Sequence, residues 1–137
     1  MRHSRGSSHN GPWLGLLIAL AACRDTHATA LVVAISSDSA VTQAIDTLEI
    51  SVTRAGQTKL EQSYSLPRDG RLPGTLTLQK NEDASSSDPI EITVTGRSST
   101  SNASAPIISR SARLGFVDEH TKLLRMPLRG DCLGVES

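Results

Sequence analysis

The chain has 137 residues, with 14 lysines and arginines against 14 aspartates and glutamates, so its formal net charge at neutral pH is zero. Aromatic residues make up 2% of it: Trp13, Tyr64 and Phe116. A nucleic-acid-binding domain needs a concentrated basic surface, and single-strand or sugar sites commonly stack on aromatic rings, so this composition argues against both. We expect no nucleic-acid partner.

The first 22 residues have the pattern of an export signal. Arg2 and Arg5 precede the apolar run Trp13–Ala22, and the first acidic residue is Asp25. A signal peptide has an apolar stretch of about 7–15 residues, whereas a membrane-spanning helix needs about 20. The sequence therefore predicts a cleaved, helical signal peptide over residues 1–22 and no transmembrane anchor.

The end of this run, Leu20-Ala21-Ala22-Cys23, resembles the lipobox of bacterial lipoproteins. The resemblance implies cleavage between Ala22 and Cys23 and acylation of the Cys23 thiol, which would anchor the chain because each buried methylene adds about 0.8 kcal/mol. We expect a lipid-anchored protein in the outer membrane or on the periplasmic face of the inner membrane, with the cell surface as a further location. The alternative is an apolar helix that ends in a cysteine by chance.

The second cysteine, Cys132, has no intrachain partner if Cys23 is acylated. Export leads to a compartment that permits disulfides. We therefore expect either a free thiol near the chain end or an intermolecular disulfide.

Downstream of a short tether over residues 23–28, apolar residues alternate with polar ones, which is typical of half-buried strands. The expected third strand carries Gln62 on its apolar face, which suggests an edge position. In the expected sixth strand, Arg110 is out of pattern. Residues 41–46 could form one helical turn, and Ala55-Gly56-Gln57 is predicted to be a hairpin turn.

Each of the seven expected strands has apolar residues at alternate positions, which we expect to face inward. They are Leu31, Val33 and Ile35; Leu48, Ile50 and Val52; Leu60, Tyr64 and Leu66; Leu76 and Leu78; Ile90, Ile92 and Val94; Ile108, Ala112, Leu114 and Phe116; and Leu124, Met126 and Leu128.

Seven short strands separated by turn residues predict an all-β fold, a seven-stranded antiparallel immunoglobulin-like β-sandwich over residues 29–129. A small open barrel is the main alternative. Residues 130–137 show no period and are expected to form an irregular tail.

These elements together resemble a family of uncharacterised bacterial lipoproteins common in myxobacteria. The likeness is carried by the lipobox, the strands at residues 30–38 and 45–52, the segments 113–117 and 121–128, and Cys132-Leu133-Gly134-Val135. Members of that family often continue into a cysteine-rich tail, and this chain stops at Ser137. Either the tail was lost or the gene model ends early, and the resemblance would then explain the unpaired Cys132. The resemblance implies no enzymatic activity.

Few residues carry candidate chemistry. Asp118, Glu119 and His120 put an imidazole beside two carboxylates, but a metal site needs three or four converging ligands, so an exposed turn is the favoured interpretation. Glu82, Asp83 and Asp88 could offer oxygen ligands to calcium, although they lack the spacing of a dedicated loop. No nucleophile elbow or phosphate-binding loop is present, and we expect no catalytic residue, no cofactor and no enzyme.

The sequence thus predicts a non-catalytic binding or structural module of the cell envelope, which contacts the membrane through its lipid and an envelope protein through loops or a sheet edge. The alternative is a β-sandwich that binds calcium or a small ligand. A hydrolase with an unrecognised site is a third hypothesis.

Overall fold

The computed structural model describes residues 28–81, 84–100 and 106–133. This part of the chain forms two β-sheets, one short helix and one 3-10 turn. The elements are β1 (Ala30–Ser37), α1 (Ser39–Ala44), β2 (Thr47–Arg54), β3 (Gln57–Ser65), β4 (Gly74–Gln79), β5 (Ile90–Arg97), β6 (Ile108–Leu114), β7 (Thr121–Leu128) and the turn Gly130–Cys132.

The strands form an all-β sandwich, which confirms the coarse prediction of fold class. Sheet A has the order β4-β1-β7, and sheet B has the order β3-β2-β5-β6. The core between them consists of aliphatic side chains and Met126, and among the described residues no polar or charged side chain is buried. Alternation explains this arrangement, because successive side chains of a strand point to opposite faces of its sheet. The central strands supply most of the buried residues: Leu31, Val33 and Ile35 from β1, Leu48, Ile50 and Val52 from β2, and Ile90, Ile92 and Val94 from β5.

The prediction that all strands are antiparallel is wrong at one pair. β1 runs antiparallel to β4 but parallel to β7, with Val33 opposite Leu124. The chain reverses direction at each connection, so odd-numbered strands all run one way and even-numbered strands run the other. Every other pair joins an odd strand to an even one, whereas β1 and β7 are both odd and must therefore be parallel as neighbours.

The reversals give the sandwich two ends. The lower end is where β1 begins, and it holds the β2–β3, β4–β5 and β6–β7 connections. The upper end is where β1 finishes, beside α1 and the Gly130–Cys132 turn. Asp38 joins these two elements, because its carboxylate accepts hydrogen bonds from the backbone N–H of Val41 at 2.9 Å and of Gly130 at 2.6 Å.

Local differences from the expected elements have simple causes. The helix begins at Ser39, earlier than the predicted turn at residues 41–46, because Asp38 caps it. The hairpin turn is confirmed at Ala55 and Gly56, both at positive φ, and Gln57 already belongs to β3. Leu66 and Phe116 lie just outside the strands that were predicted to include them, yet both pack against the core.

Gly96 on β5 lies in a tightly packed part of the core. A Cβ atom there would come within 2.8 Å of Ile108 Cγ2 and 2.9 Å of Ile45 Cγ2. We expect Gly96→Ala to lower the free energy of unfolding by about 1–3 kcal/mol through overpacking, as measured by urea denaturation. Gly70→Ala is the matched control, because the nearest atom to its new Cβ is 4.0 Å away. Equal effects of the two substitutions would contradict this account of the packing.

Candidate functional site: a groove along one open side of the sandwich

A groove of about 710 Å³ opens between the edge strands β3 and β4. We call it the lateral groove. Its apolar floor combines residues of β2, β3, β4 and β5 with Phe116, and polar side chains form its rim near the lower end. The floor residues are Val52, Leu60, Leu76, Leu78, Ile90 and Phe116, and the rim includes Arg54, Gln57, Lys59, Gln62, Lys80 and Asp88.

The lateral groove exists because the two sheets differ in width. Sheet A has three strands and sheet B has four, so no strand of the described chain lies beside β4 to cover the inner face of β3. On the opposite side of the sandwich, Arg110 of β6 donates a hydrogen bond to the carbonyl oxygen of Pro127 on β7 at 3.0 Å. That side is therefore bridged, while the β3–β4 side stays open.

The two residues that interrupted the apolar pattern both lie on edge strands of sheet B. Gln62 lines the lateral groove and accepts a hydrogen bond from the Tyr64 hydroxyl. Arg110 closes the other side. The predicted edge position of β3 is confirmed, and in both cases the polar residue is tolerated because an edge strand leaves its inward side chain within reach of solvent.

The free edge of β4 differs in charge from the other three sheet edges. β4 contains glycine, threonine, leucine and glutamine and no charged residue. Natural proteins commonly protect exposed strand edges with charge or proline, because unpaired backbone groups invite another strand to pair. The other edge strands carry such residues: Lys59 and Glu61 on β3, Arg110 and Arg113 on β6, and Lys122, Arg125 and Pro127 on β7.

A β-bulge in β3 shapes the lower rim of the lateral groove. The register between β2 and β3 shifts between Val52, which faces Leu60, and Thr53, which faces Thr58. Lys59 is the extra residue, and the shift allows Gln57 and Lys59 to line the same groove as Leu60. The Lys59 ammonium donates to Gln57 Oε1 at 2.8 Å, so the groove rim carries a cationic side chain at this point.

Two ion pairs hold the connections at the lower end. Arg54 bonds the Asp88 carboxylate at 3.1 Å and also donates to the carbonyl oxygen of Ser85. Lys80 bonds the Asp118 carboxylate at 2.6 Å and the Ser86 hydroxyl at 2.7 Å. These contacts join the β4–β5 connection to β2 and to the β6–β7 connection.

Hydrogen bonds from Lys80 and from the Ser86 hydroxyl hold the pKa of Asp118 below its usual range. Both donors stabilise the ionised carboxylate more than the protonated one. Asp118 therefore acts as a structural anion at neutral pH, not as a proton donor.

The three residues considered for a metal site do not converge. Asp118 pairs with Lys80, the backbone N–H of Glu119 donates to Thr29 Oγ1 at 2.8 Å, and His120 Nδ1 lies 2.7 Å from the carbonyl oxygen of Asp118. Within residues 28–81, 84–100 and 106–133, no group of three histidine, cysteine, aspartate or glutamate side chains could hold a metal ion. Glu82 and Asp83 lie outside the described residues. Asp88 is paired with Arg54.

Another hydrogen-bonded carboxylate, that of Asp46, lies at the upper end. Asp46 accepts hydrogen bonds from the backbone N–H of Ser99 at 2.7 Å, from the Ser99 hydroxyl, and from Thr47 Oγ1 at 3.0 Å. These bonds lower the pKa of Asp46. Its role is to connect the start of β2 to the end of β5, and no sequence signal identifies it, because Ser99 is 53 positions away.

Of the two cysteines, only Cys132 lies within the described residues. Cys132 is exposed and unpaired in the Gly130–Cys132 turn at the upper end. Ala22 and Cys23 lie outside the described residues, as does the predicted signal peptide. In the described part of the chain, no helix has the length and apolarity needed to cross a membrane.

Comparison with known proteins found no matching family model, no matching curated protein and no matching solved structure.

The lowered pKa of Asp118 gives a test of the lower-end network. A group with a lowered folded-state pKa contributes stability above its unfolded pKa and loses it as the pH falls through the folded value. We expect Asp118→Asn to lower the free energy of unfolding at pH 7 and pH 5, and the difference from wild type to shrink as the pH falls below about 4. Urea denaturation at each pH measures it.

Asp131→Asn is the control for charge alone, because Asp131 is an exposed carboxylate at the opposite end. An Asp118→Asn effect that stayed the same at pH 3 as at pH 7 would contradict the assigned role of the carboxylate.

Proposed function

We propose that this chain is an exported, lipid-anchored envelope protein whose sandwich binds an extended segment of another envelope protein along β4. It acts as a binding module without catalysis. The observation that carries the proposal is the uncharged free edge of β4 beside an apolar groove. An incoming strand would gain backbone hydrogen bonds from the edge and would bury alternate side chains in the groove, which is the known mode of strand addition.

The strand order supports an immunoglobulin-like interpretation of the sandwich. An immunoglobulin domain of variable type has the sheets A-B-E-D and G-F-C-C′-C″. Sheet B matches the first four strands of the second order if β6, β5, β2 and β3 are G, F, C and C′, and the β1–β4 pair of sheet A then matches B–E. β7 takes the position beside strand B, where strand A usually lies.

In this correspondence the position beside β4 is that of strand D. No strand of the described residues fills it, and the lateral groove is the opening that results. The bound segment would therefore complete sheet A as a fourth strand, facing β3 of sheet B. Lys59 at the lower rim would favour a segment with an acidic residue at the matching position.

The lipid anchor in this proposal rests on the lipobox-like segment Leu20–Cys23, and the likeness to myxobacterial lipoproteins belongs to the same proposal. The chain enters the described domain at Ala28, at the lower end. Residues 23–28 would be the tether between the lipid and β1.

The anchor is tested with Cys23→Ser in a bacterial host that processes lipoproteins. We expect the wild-type chain to float with membranes and to show, by intact mass, an acylated N-terminal cysteine at residue 23. The Cys23→Ser variant should lose both properties, whereas Cys132→Ser should keep them. A wild-type chain that retained its first 22 residues and carried no acyl group would contradict the anchor.

The binding edge is tested by site-specific photocrosslinking in intact envelopes, with a benzoylphenylalanine at Gln62 in the lateral groove or, as the control, at Ser111 on β6. We expect crosslinks from position 62 to map to one extended segment of a single protein, and few from position 111. A synthetic peptide of that segment should then slow amide hydrogen exchange in β4 of the purified protein, and Thr77→Lys should weaken its binding. A crosslinking yield at position 62 no higher than at position 111 would contradict the β4 edge as the binding site.

A further inference from the structure

The two outer faces of the sandwich differ in polarity. The outward positions of β2, β3, β5 and β6 hold serine, threonine and charged residues, with an ion pair between Arg97 and Glu49 at 2.8 Å. The outward positions of sheet A include aliphatic residues and no acid. We call these sheet-A residues the sheet-A face: Val32, Ala34, Thr75, Thr77, Leu123 and Arg125.

The residues of the sheet-A face are neighbours across the strands. Val32 lies between Thr77 of β4 and Leu123 of β7, and Ala34 lies between Thr75 and Arg125. Leu123 is 56% exposed, which is the largest exposure of any large aliphatic side chain in the described residues. The sheet-A face therefore has one strongly exposed leucine, surrounded by smaller side chains and close to an arginine.

The chain enters the described domain next to this face. The Thr121 hydroxyl donates a hydrogen bond to the carbonyl oxygen of Ala28 at 3.2 Å, and Thr29 is held by the backbone N–H of Glu119. Leu123 is two residues along β7 from Thr121, or about 7 Å. The proposed acyl anchor at Cys23 is five residues before Ala28, a reach of at most about 18 Å.

A lipid anchor at this distance allows two orientations on a bilayer. With the strands upright, the lower end would meet the lipid headgroups with the ion pairs Arg54–Asp88 and Lys80–Asp118 and with the exposed carboxylate of Glu119. With the strands lying flat on sheet A, the bilayer would meet Leu123, Val32 and Arg125 instead. An apolar side chain flanked by a cation suits a membrane interface, whereas ion pairs lose hydration there and the Glu119 carboxylate is repelled by anionic lipids.

We infer that the sheet-A face rests on the lipid bilayer, with Leu123 inserted among the headgroups and Arg125 beside the lipid phosphates. This inference rests on the proposed lipid anchor. A single leucine would not hold a soluble protein on a membrane, but the acyl chains already confine the domain there, so the face only has to select one orientation. The polar face of sheet B then points to solvent, and the lateral groove opens sideways along the membrane.

The test uses the full acylated protein in vesicles of phosphatidylethanolamine and phosphatidylglycerol that carry brominated acyl chains. In a Cys132→Ser background, single cysteines at Leu123, Ser87 and Ser111 are labelled with an environment-sensitive fluorophore. We expect bromine to quench the label at position 123 several-fold more than the labels at 87, on the lower end, and at 111, on the sheet-B face. Strongest quenching at 87 would show the upright orientation and overturn the inference.

Equal, weak quenching at all three positions would also overturn it. If the label at 123 were shielded in native envelopes but unquenched in vesicles, the sheet-A face would bind a protein instead of the bilayer.

A second set of variants tests whether Leu123 causes this orientation. With a label at Thr77, Leu123→Asp should reduce quenching, whereas Ser111→Asp should not. Vesicle flotation separates the two proposals, since a chain that does not float lacks the anchor, and a chain that floats with position 123 unquenched lacks only this orientation.

Discussion

The burial of aliphatic side chains between the two sheets is the constraint on which the rest of this structure depends. β1, β2 and β5 have near-complete alternation, and their inward side chains are almost fully removed from water. Burying a valine, leucine or isoleucine contributes about 1.5–3 kcal/mol relative to leaving it exposed. With two aromatic residues in the predicted mature chain, the core gains its stability from many medium-sized contacts. Little space remains in this core, since a Cβ atom at Gly96 would lie 2.8 Å from Ile108 Cγ2.

Polar groups organise the ends of the sandwich and not its middle. At the lower end, Lys80 and Arg54 bind carboxylates of the connections, and at the upper end Asp38 and Asp46 bind backbone amides. All of these groups reach solvent, so each pair contributes less than a buried pair would and stays sensitive to salt. Their effect is to fix where the loops leave the sheets.

The alternation in the sequence was enough to predict the strands, because the period of side chains along a strand is a local property. Gln62 also indicated the edge position of β3, since it breaks an otherwise apolar face. The pairing of strands could not be predicted in the same way. That β7 lies beside β1 depends on packing between residues about 90 positions apart, and the antiparallel expectation failed there.

The lateral groove was missed for a related reason, because a difference in width between sheets is visible only once both sheets are assembled. The ion pairs of Arg54 and Lys80 join residues more than 30 positions apart, and no local pattern identifies them.

The parallel pairing of β1 with β7 has a geometric consequence for the two termini of the domain. An odd number of alternating strands brings the chain out at the pole opposite its entry, so Ala28 and Cys132 are separated by the full length of a strand, about 26 Å for eight residues. A mixed disulfide at Cys132 would therefore form far from the entry point of the tether. Any molecule joined there would be attached at the end of the sandwich opposite the tether.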